Sequence, residues 1–265
     1  MFAVAGSSTG EEPTETGASQ AAPVVLELFT SQGCSSCPPA DRLLSELGWA
    51  EGQRSQVIPL AYHVDYWNDL GWQDPFSQPR WSQRQRDYAR AFGLGQVYTP
   101  QLVVNGRNQC AGSNDRQIRK YLDASRTQPV DGRLTLSANP LQSGGRQVPL
   151  HITAERSSRL LGKTLQVMVA VFENDQVTEV RRGENAGRML RNDFVVRELR
   201  PAFSMPENAA RVQEGSLVLE LDAGWNTARL GIAAFLQDPD SMAMYGGATL
   251  GLSTAEPLSA AQASR

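Results

Sequence analysis

The stretch SQGCSSCPPADRLLSEL, residues 31–47, decides the fold prediction because it places two cysteines directly before a helical pattern. Pro38 and Pro39 suit the first turn of a helix, where a backbone N–H has no intrahelical acceptor to lose. The residues that follow place apolar side chains at helical spacing, at Ala40, Leu43, Leu44 and Leu47. We therefore predict that a helix begins at the two prolines and carries a cysteine pair at its N-terminus.

The spacing of Cys34 and Cys37 allows a disulfide if the first cysteine lies at the mouth of the helix and the second in its first turn. The amide N–H groups and the helix dipole stabilise a thiolate there and lower its pKa below the free value of about 8.5. We therefore predict Cys34 as the nucleophile and Cys37 as the resolving thiol, which attacks a mixed disulfide and releases the reduced partner. A small loop that happens to hold two thiols is the alternative.

Composition and charge exclude several classes of function. The net charge of −3 over 265 residues provides no basic field for a phosphate backbone, so we expect no nucleic-acid partner. No apolar run approaches the roughly 18 residues of a membrane span, so we expect none. Three cysteines and two histidines, with His151 in the other half of the chain, are too few for a structural zinc site, and we predict no cofactor. Copper(I) stays open because two thiolates can suffice for it.

The pattern of elements changes near residue 129. Before it, strand patterns at residues 24–29, 56–64 and 98–106 alternate with helical ones, which indicates an α/β arrangement. After it, seven short alternating or β-branched segments indicate an antiparallel, immunoglobulin-like β-sandwich. The predicted organisation is a disordered tether, an α/β domain, a β-sandwich domain and a flexible tail, at residues 1–22, 23–128, 129–254 and 255–265.

Four segments carry a resemblance to a known family: ELFTSQGCSSCPPAD, HVDYWNDLGWQDPF, YTPQLVVNG and GENAGRMLRNDFVVREL. Together they resemble the bacterial family called domain of unknown function 1223, from about Val24 to about Leu252, and the first half resembles a thioredoxin fold. The resemblance implies a thioredoxin-like domain followed by a β-rich domain, commonly in exported proteins. On the thioredoxin pattern Cys34 and Cys37 form the dithiol. The aromatic residue that usually precedes such a dithiol is Gly33 here, which puts substrate contact at that point in doubt.

Three further residues follow from the thioredoxin pattern. Thr99 and Pro100 stand before the third strand, where thioredoxin-like proteins carry a cis-proline, and we predict a cis bond that orients the partner. Glu27 lies seven residues before Cys34 and corresponds to a buried carboxylate that exchanges a proton with the resolving cysteine. The usual offset is one residue shorter, and a solvent-facing strand glutamate is the alternative. His63 and Asp65, at the end of the second strand, could approach the dithiol from the same sheet edge, and a hydrogen-bonded packing histidine is the alternative.

The function predicted from these residues is thiol–disulfide exchange. The predicted partners are protein thiols or disulfides, including those of a redox partner protein. The rival from another class is a copper(I)-binding or redox-inert adaptor of the cell envelope. We predict a periplasmic or secreted location, although the opening MFAVAG lacks the basic flank of an export signal. A cytosolic chain with a loose tail is the alternative. Cys110, the odd cysteine, is predicted as a small buried hydrophobe, and a third thiol within reach of the pair is the alternative. GENAGR, residues 183–188, is predicted as a hairpin connection.

Overall fold

The computed structural model describes residues 22–52, 56–139, 141 and 144–252. The predicted tail and all but the last residue of the predicted tether lie outside them. The first part of the chain contains the three predicted strands and three predicted helices, and β4 is a strand that the sequence pattern missed: β1 Val24–Thr30, α1 Pro38–Gly52, β2 Val57–His63, α2 Pro79–Phe92, β3 Gln101–Val104, β4 Asn108–Ala111 and α3 Asp115–Arg126. None of the helices in the described ranges is long and apolar enough to cross a membrane.

The helix ends follow local sequence signals. Helix α1 begins at Pro38, as the two prolines predict. Helix α2 ends at Gly93, whose left-handed backbone lets its N–H reach carbonyl oxygens of the last turn. Helix α3 is capped by Asn114, whose side chain accepts a hydrogen bond from Gln117 N at 3.2 Å. These ends were predictable because each depends on a few neighbouring residues.

The second part of the chain consists of strands. All seven predicted segments are strands, and the structure adds two that the sequence pattern missed, β9 and β13. The strands are β5 Gly132–Ala138, β6 Gln147–Arg156, β7 Leu165–Glu173, β8 Gln176–Val180, β9 Arg188–Asn192, β10 Val195–Met205, β11 Val212–Glu220, β12 Leu230–Gln237 and β13 Met244–Gly251. Strand β9 is short and mostly polar and β13 carries three glycines, so neither shows the apolar alternation of a typical strand.

The two parts of the chain share one mixed sheet. Its eight strands run in the order β13-β12-β7-β10-β2-β1-β3-β4. At the junction β10 pairs in parallel with β2, where Val195 faces Ala61 and Ala61 N donates to Phe194 O at 2.8 Å. The predicted fold class, a thioredoxin-like α/β domain followed by a separate immunoglobulin-like sandwich, is therefore wrong. Apolar patterning shows that a segment is a strand, but not which distant strand it joins.

The core also crosses the predicted boundary. One buried cluster combines Phe29 and Tyr62 of the first part with Phe172, Phe194 and Phe235 of the second. A second cluster lies under α1 and α3. A third cluster joins β7 and β12 of the large sheet to a three-stranded sheet of order β11-β6-β5. That residues 23–128 and residues 129–254 can fold independently of each other stays a prediction.

Candidate functional site

The two cysteines lie in the turn between β1 and α1. Cys34 and Cys37 form a disulfide with their Cα atoms 5.5 Å apart, within the usual range for such bonds. Cys37 O accepts hydrogen bonds from Ala40 N at 2.8 Å and Asp41 N at 3.1 Å, so the helical hydrogen bonds start at this cysteine. The pair therefore sits at the helix N-terminus, where the backbone favours negative charge.

Both cysteines are fully buried, with 0% exposure, whereas the two serines between them are exposed. The Ser36 hydroxyl lies 3.3 Å from Cys34 Sγ. The disulfide is thus buried although the residues between its cysteines are exposed.

A hairpin of β8 and β9, residues 176–192, lies against the cysteine turn, and we call it the cap. Its turn contains the predicted hairpin connection GENAGR. Asn185, which is fully buried, donates from Nδ2 to Gln32 O and to Cys34 O, both at 2.9 Å. Glu184 Oε2 accepts a hydrogen bond from Ser35 N at 2.8 Å. Hydrogen bonds from the side chain and the backbone of Ser35 lower the pKa of Glu184. The cap therefore binds the backbone around the first cysteine.

Gln32 anchors the cap from below. Its side-chain Nε2 donates to Asn192 Oδ1 at 2.9 Å and to Thr178 Oγ1 at 3.1 Å, on the two strands of the cap. Its Oε1 accepts from Trp72 Nε1 at 3.3 Å, and its backbone N–H donates to Asp74 Oδ2 at 2.8 Å. One buried glutamine thus joins the cysteine turn, the cap and the segment that follows β2.

A cluster of buried ionisable groups lies behind the disulfide. Thr30, the last residue of β1, donates from Oγ1 to Asp41 Oδ1 at 2.7 Å. Its neighbour in the parallel pairing is His63, at the end of β2. The Nδ1 of His63 bonds Asp74 Oδ2 at 2.7 Å, and both side chains are fully buried. The cluster of Asp41, His63 and Asp74 therefore lies where the carboxyl ends of β1 and β2 meet the first turn of α1.

Burial and mutual charge shift the pKa values in this cluster. Burial raises the pKa of Asp41 to about 6, although the charge of His63 and the Thr30 hydrogen bond oppose it. Burial alone would lower the pKa of His63, but Asp74 and Asp41 raise it above its ordinary value. Burial likewise acts to raise the pKa of Asp74, yet His63 and the N–H of Gln32 hold it below its ordinary value. With a pKa of about 6, the Asp41 carboxyl can exist in either form near neutral pH.

The Thr99–Pro100 bond is cis, as predicted. Thr99 Oγ1 accepts from Trp67 Nε1 at 2.8 Å, and a Cβ placed on Gly33 would lie 3.2 Å from Trp67 Cβ. Trp67 therefore connects Thr99 to the turn that holds the cysteines. The part that Thr99 and Pro100 take in orienting a partner stays a prediction.

Glu27 lies apart from the cysteines in a buried ion pair. Arg84 of α2 donates to Glu27 from Nε at 2.8 Å and from a terminal nitrogen at 3.1 Å, and the Tyr88 hydroxyl also bonds it. Although burial alone would lower the pKa of Arg84, Glu27 and the nearby tyrosines raise it above its ordinary value. The predicted proton-exchange role of Glu27 stays a prediction. A different carboxylate, Asp41, lies on α1 four residues after Cys37.

Cys110 is half-buried on β4, opposite Leu102, and burial raises its pKa to about 11. Within the part of the chain that the structure describes, no three His, Cys, Asp or Glu residues form a group that could hold a metal ion. The copper(I) hypothesis stays a prediction.

Comparison with known families identifies the chain's relatives. A family model described as a protein of unknown function, DUF1223, matches residues 25–237, which include the cysteine turn, the buried cluster and the cap. The chain belongs to the DUF1223 family. No curated protein matches it significantly.

Two solved structures resemble this DUF1223 protein over most of its length. A structural-genomics structure from Agrobacterium tumefaciens is 30% identical, covers 91% of this chain and 99% of its own, and has a TM-score of 0.67. HBP35 of Porphyromonas gingivalis is 18% identical, covers 92% of this chain and 79% of its own, and has a TM-score of 0.63. The second likeness shows the fold alone.

Sequence reasoning missed part of the site of this DUF1223 protein. Asp41 had a usable signal, because residues four apart on a helix share a face and Asp41 follows Cys37 by four. Gln32, Asp74 and Asn185 had none, since their contacts join segments far apart in the sequence.

Proposed function

We propose that this protein is a thiol–disulfide oxidoreductase that acts through Cys34 and Cys37. The observation that carries the proposal is the disulfide in the turn that opens α1, with Cys37 O as the first helical acceptor. A thiolate released there faces first-turn amides and the positive end of the helix dipole, which lower its pKa and favour it as nucleophile and as leaving group.

The exchange proceeds in two balanced steps. A thiolate of the partner attacks Cys34 Sγ, so that a mixed disulfide forms, the bond between Cys34 and Cys37 breaks, and Cys37 leaves as a thiolate that takes up one proton. A second partner thiol then loses its proton and attacks the mixed disulfide, which releases Cys34. The partner is oxidised by two electrons and the protein is reduced to the dithiol. In reverse, Cys34 attacks a partner disulfide and Cys37 resolves it.

The proposed partners are protein thiols or disulfides, and Thr99 with Pro100 would orient them. Because both cysteines are buried and the cap bonds the backbone of Cys34, we propose that the cap moves away from the cysteine turn before a partner reaches Cys34. We place the protein in the periplasm or outside the cell, where disulfides persist.

The same burial favours one rival function. A disulfide that stays covered is a permanent brace, and the protein is then a redox-inert adaptor whose function lies in its β-rich part. The two functions differ in whether the disulfide can be opened and re-formed.

Single-cysteine variants test the proposal in a Cys110→Ser background, which removes the third thiol. The probe is a small aromatic disulfide whose leaving thiolate is coloured, and the product is measured by intact mass. We expect Cys37→Ser to form a stable mixed disulfide at Cys34 quickly, and Cys34→Ser to react at least about tenfold more slowly, because Cys34 is the thiol activated by the helix N-terminus. Equal rates, or no reaction of the reduced two-cysteine protein, would contradict the proposal.

A further inference from the structure

The proposed exchange leaves one group of buried ionisable residues without a role. Asp41, His63 and Asp74 have exposures of 6%, 1% and 2%. Buried ionisable groups are costly unless they are paired or used, so three of them beside a disulfide call for an explanation.

Asp41 lies one helical turn after Cys37. Its backbone N–H donates to Cys37 O at 3.1 Å, and residues four apart share one face of a helix. Both residues are buried, and α1 packs against β1 and β2. The spacing and the shared burial therefore favour one side of α1 for the Asp41 carboxyl and the resolving thiol.

The direct hydrogen-bond partners of the Asp41 carboxyl are neutral. They are the Thr30 hydroxyl at 2.7 Å and the side chain of Asn192. A carboxylate held by an arginine is committed to its charged form, whereas a carboxyl held by a hydroxyl and an amide can take up or release a proton at little cost.

His63 bonds a second carboxylate and acts on Asp41 through its charge. Asp74 bonds Nδ1 of the imidazole, and Nε2 has no hydrogen-bond partner in the described part of the chain. The charged groups that act on the ring are Asp74 from the segment after β2, Asp41 from α1 and Arg197 from β10. Asp74 in turn lines a surface pocket with Asn68, Gln73 and Ser77. Asp74 thus fixes the ring whose charge acts on Asp41.

We propose that Asp41 serves as a proton relay between Cys37 and solvent, supported by His63 and Asp74. This inference rests on the proposed function. When Cys37 leaves as a thiolate, the Asp41 carboxyl gives it a proton, and Asp41 then regains a proton from solvent. When Cys37 attacks a mixed disulfide, its proton passes to the Asp41 carboxylate and from there to solvent. Asp41 is the group that reacts with Cys37, and His63 and Asp74 are positioning residues.

The electrostatics agree with this geometry. Burial raises the pKa of Asp41 to about 6, so both forms are present near neutral pH. The positive charge of His63 lowers the pKa of Asp41, so a change at His63 moves the pH at which Asp41 titrates.

The test measures how fast dithiothreitol reduces the disulfide of the full chain between pH 5 and pH 8. All proteins carry Cys110→Ser, and each rate is divided by the concentration of dithiothreitol thiolate. The variants are Asp41→Asn, which keeps the shape of the side chain, and His63→Gln. The matched control is Glu46→Gln, which removes an exposed carboxylate from the same helix.

For the parent protein and Glu46→Gln we expect a normalised rate that falls as pH rises through about 6, because Asp41 loses the proton it donates. Asp41→Asn should lower the rate at pH 5 by about 100-fold, the lower end of general-acid effects, and should remove the inflection. His63→Gln should move the inflection to higher pH. If Asp41→Asn does not fold, the inflection of His63→Gln decides the matter.

An unchanged profile in Asp41→Asn, or an unmoved inflection in His63→Gln, would overturn the relay and leave the exchange function standing. A parent protein whose disulfide neither opens nor exchanges would instead overturn the function on which the relay rests.

Discussion

Two of the buried carboxylates, Glu27 and Asp41, differ in their surroundings. Glu27 on β1 is held by the guanidinium of Arg84 and the hydroxyl of Tyr88, beneath α2. Asp41 on α1 is held by a hydroxyl and an amide, one turn beyond Cys37. The first carboxylate has a cation within hydrogen-bond distance, and the second has only the more distant charge of His63.

The difference separates a structural charge from one that can take part in a reaction. A buried ion pair is expensive to break, because either partner left alone is an unpaired charge in a medium of low polarity. A buried carboxyl with neutral partners is costly only when it ionises, so its proton is available near neutral pH. We therefore expect the pair of Glu27 and Arg84 to contribute to stability and Asp41 to take part in the proposed chemistry.

The largest expected effect is at Glu27. Arg84→Met keeps the length of the side chain but leaves Glu27 without its cation, and we expect the free energy of unfolding to fall by about 3–5 kcal/mol. The measurement is urea unfolding followed by circular dichroism. The control is Arg90→Met on the same helix, whose exposed ion pair with Asp87 is worth little. A loss below about 1 kcal/mol for Arg84→Met would show that Glu27 does not depend on this pair.

At Asp41 the expected effect has the opposite sign and depends on pH. Its folded pKa of about 6 lies above the ordinary value of 3.8, so the folded state loses stability as pH rises from about 4 to about 6. Asp41→Asn removes that loss. We expect it to raise the free energy of unfolding by up to about 3 kcal/mol at pH 8 and little at pH 4. Urea unfolding of the oxidised protein at both pH values checks this, and equal changes at both would contradict it.

A smaller effect is expected at the cap, which lies against the cysteine turn. Asn185→Ala removes two hydrogen bonds to buried carbonyl oxygens and should lower the free energy of unfolding by about 1–3 kcal/mol. Because the cap is then held less firmly, dithiothreitol should reduce the disulfide faster. Asn108→Ala, at an exposed position of β4, is the control. A destabilised variant whose disulfide is reduced no faster would show that the cap does not limit access.

The smallest effect is expected at the third cysteine. Burial raises the pKa of Cys110 to about 11, so at pH 8 very little of it is the reactive thiolate. Cys110→Ser should therefore leave the rate of disulfide exchange unchanged to within about twofold. Stopped-flow measurement with the same small disulfide checks this. A large change would place Cys110 in the reaction with Cys34 and Cys37.

The features predictable from sequence were local ones. The prolines after Cys37 indicated where α1 begins, and apolar alternation identified most of the strands. The joining of both halves into one sheet was not predictable, because it depends on the pairing of Ala61 with Val195, far away in the sequence. A strand pattern does not specify its neighbour, and this is why the two-domain fold class was wrong.

The candidate site was predictable to the same extent. Cys34 and Cys37 were found from their spacing and the helix that follows. Glu27 was chosen as the proton-exchanging carboxylate because of its position on β1, and sequence could not show that Arg84 of α2 binds it. The cap was not predictable either, because Asn185 bonds backbone carbonyl oxygens, which carry no sequence signal.

The central claim is that the disulfide of Cys34 and Cys37 opens and closes reversibly. The most direct test is its reduction potential, obtained by equilibrating the Cys110→Ser protein in mixtures of reduced and oxidised dithiol and counting free thiols by mass. We predict one reversible two-electron transition between about −120 and −270 mV, the range of disulfide-exchange proteins. A potential below about −300 mV, typical of structural disulfides, would contradict the account.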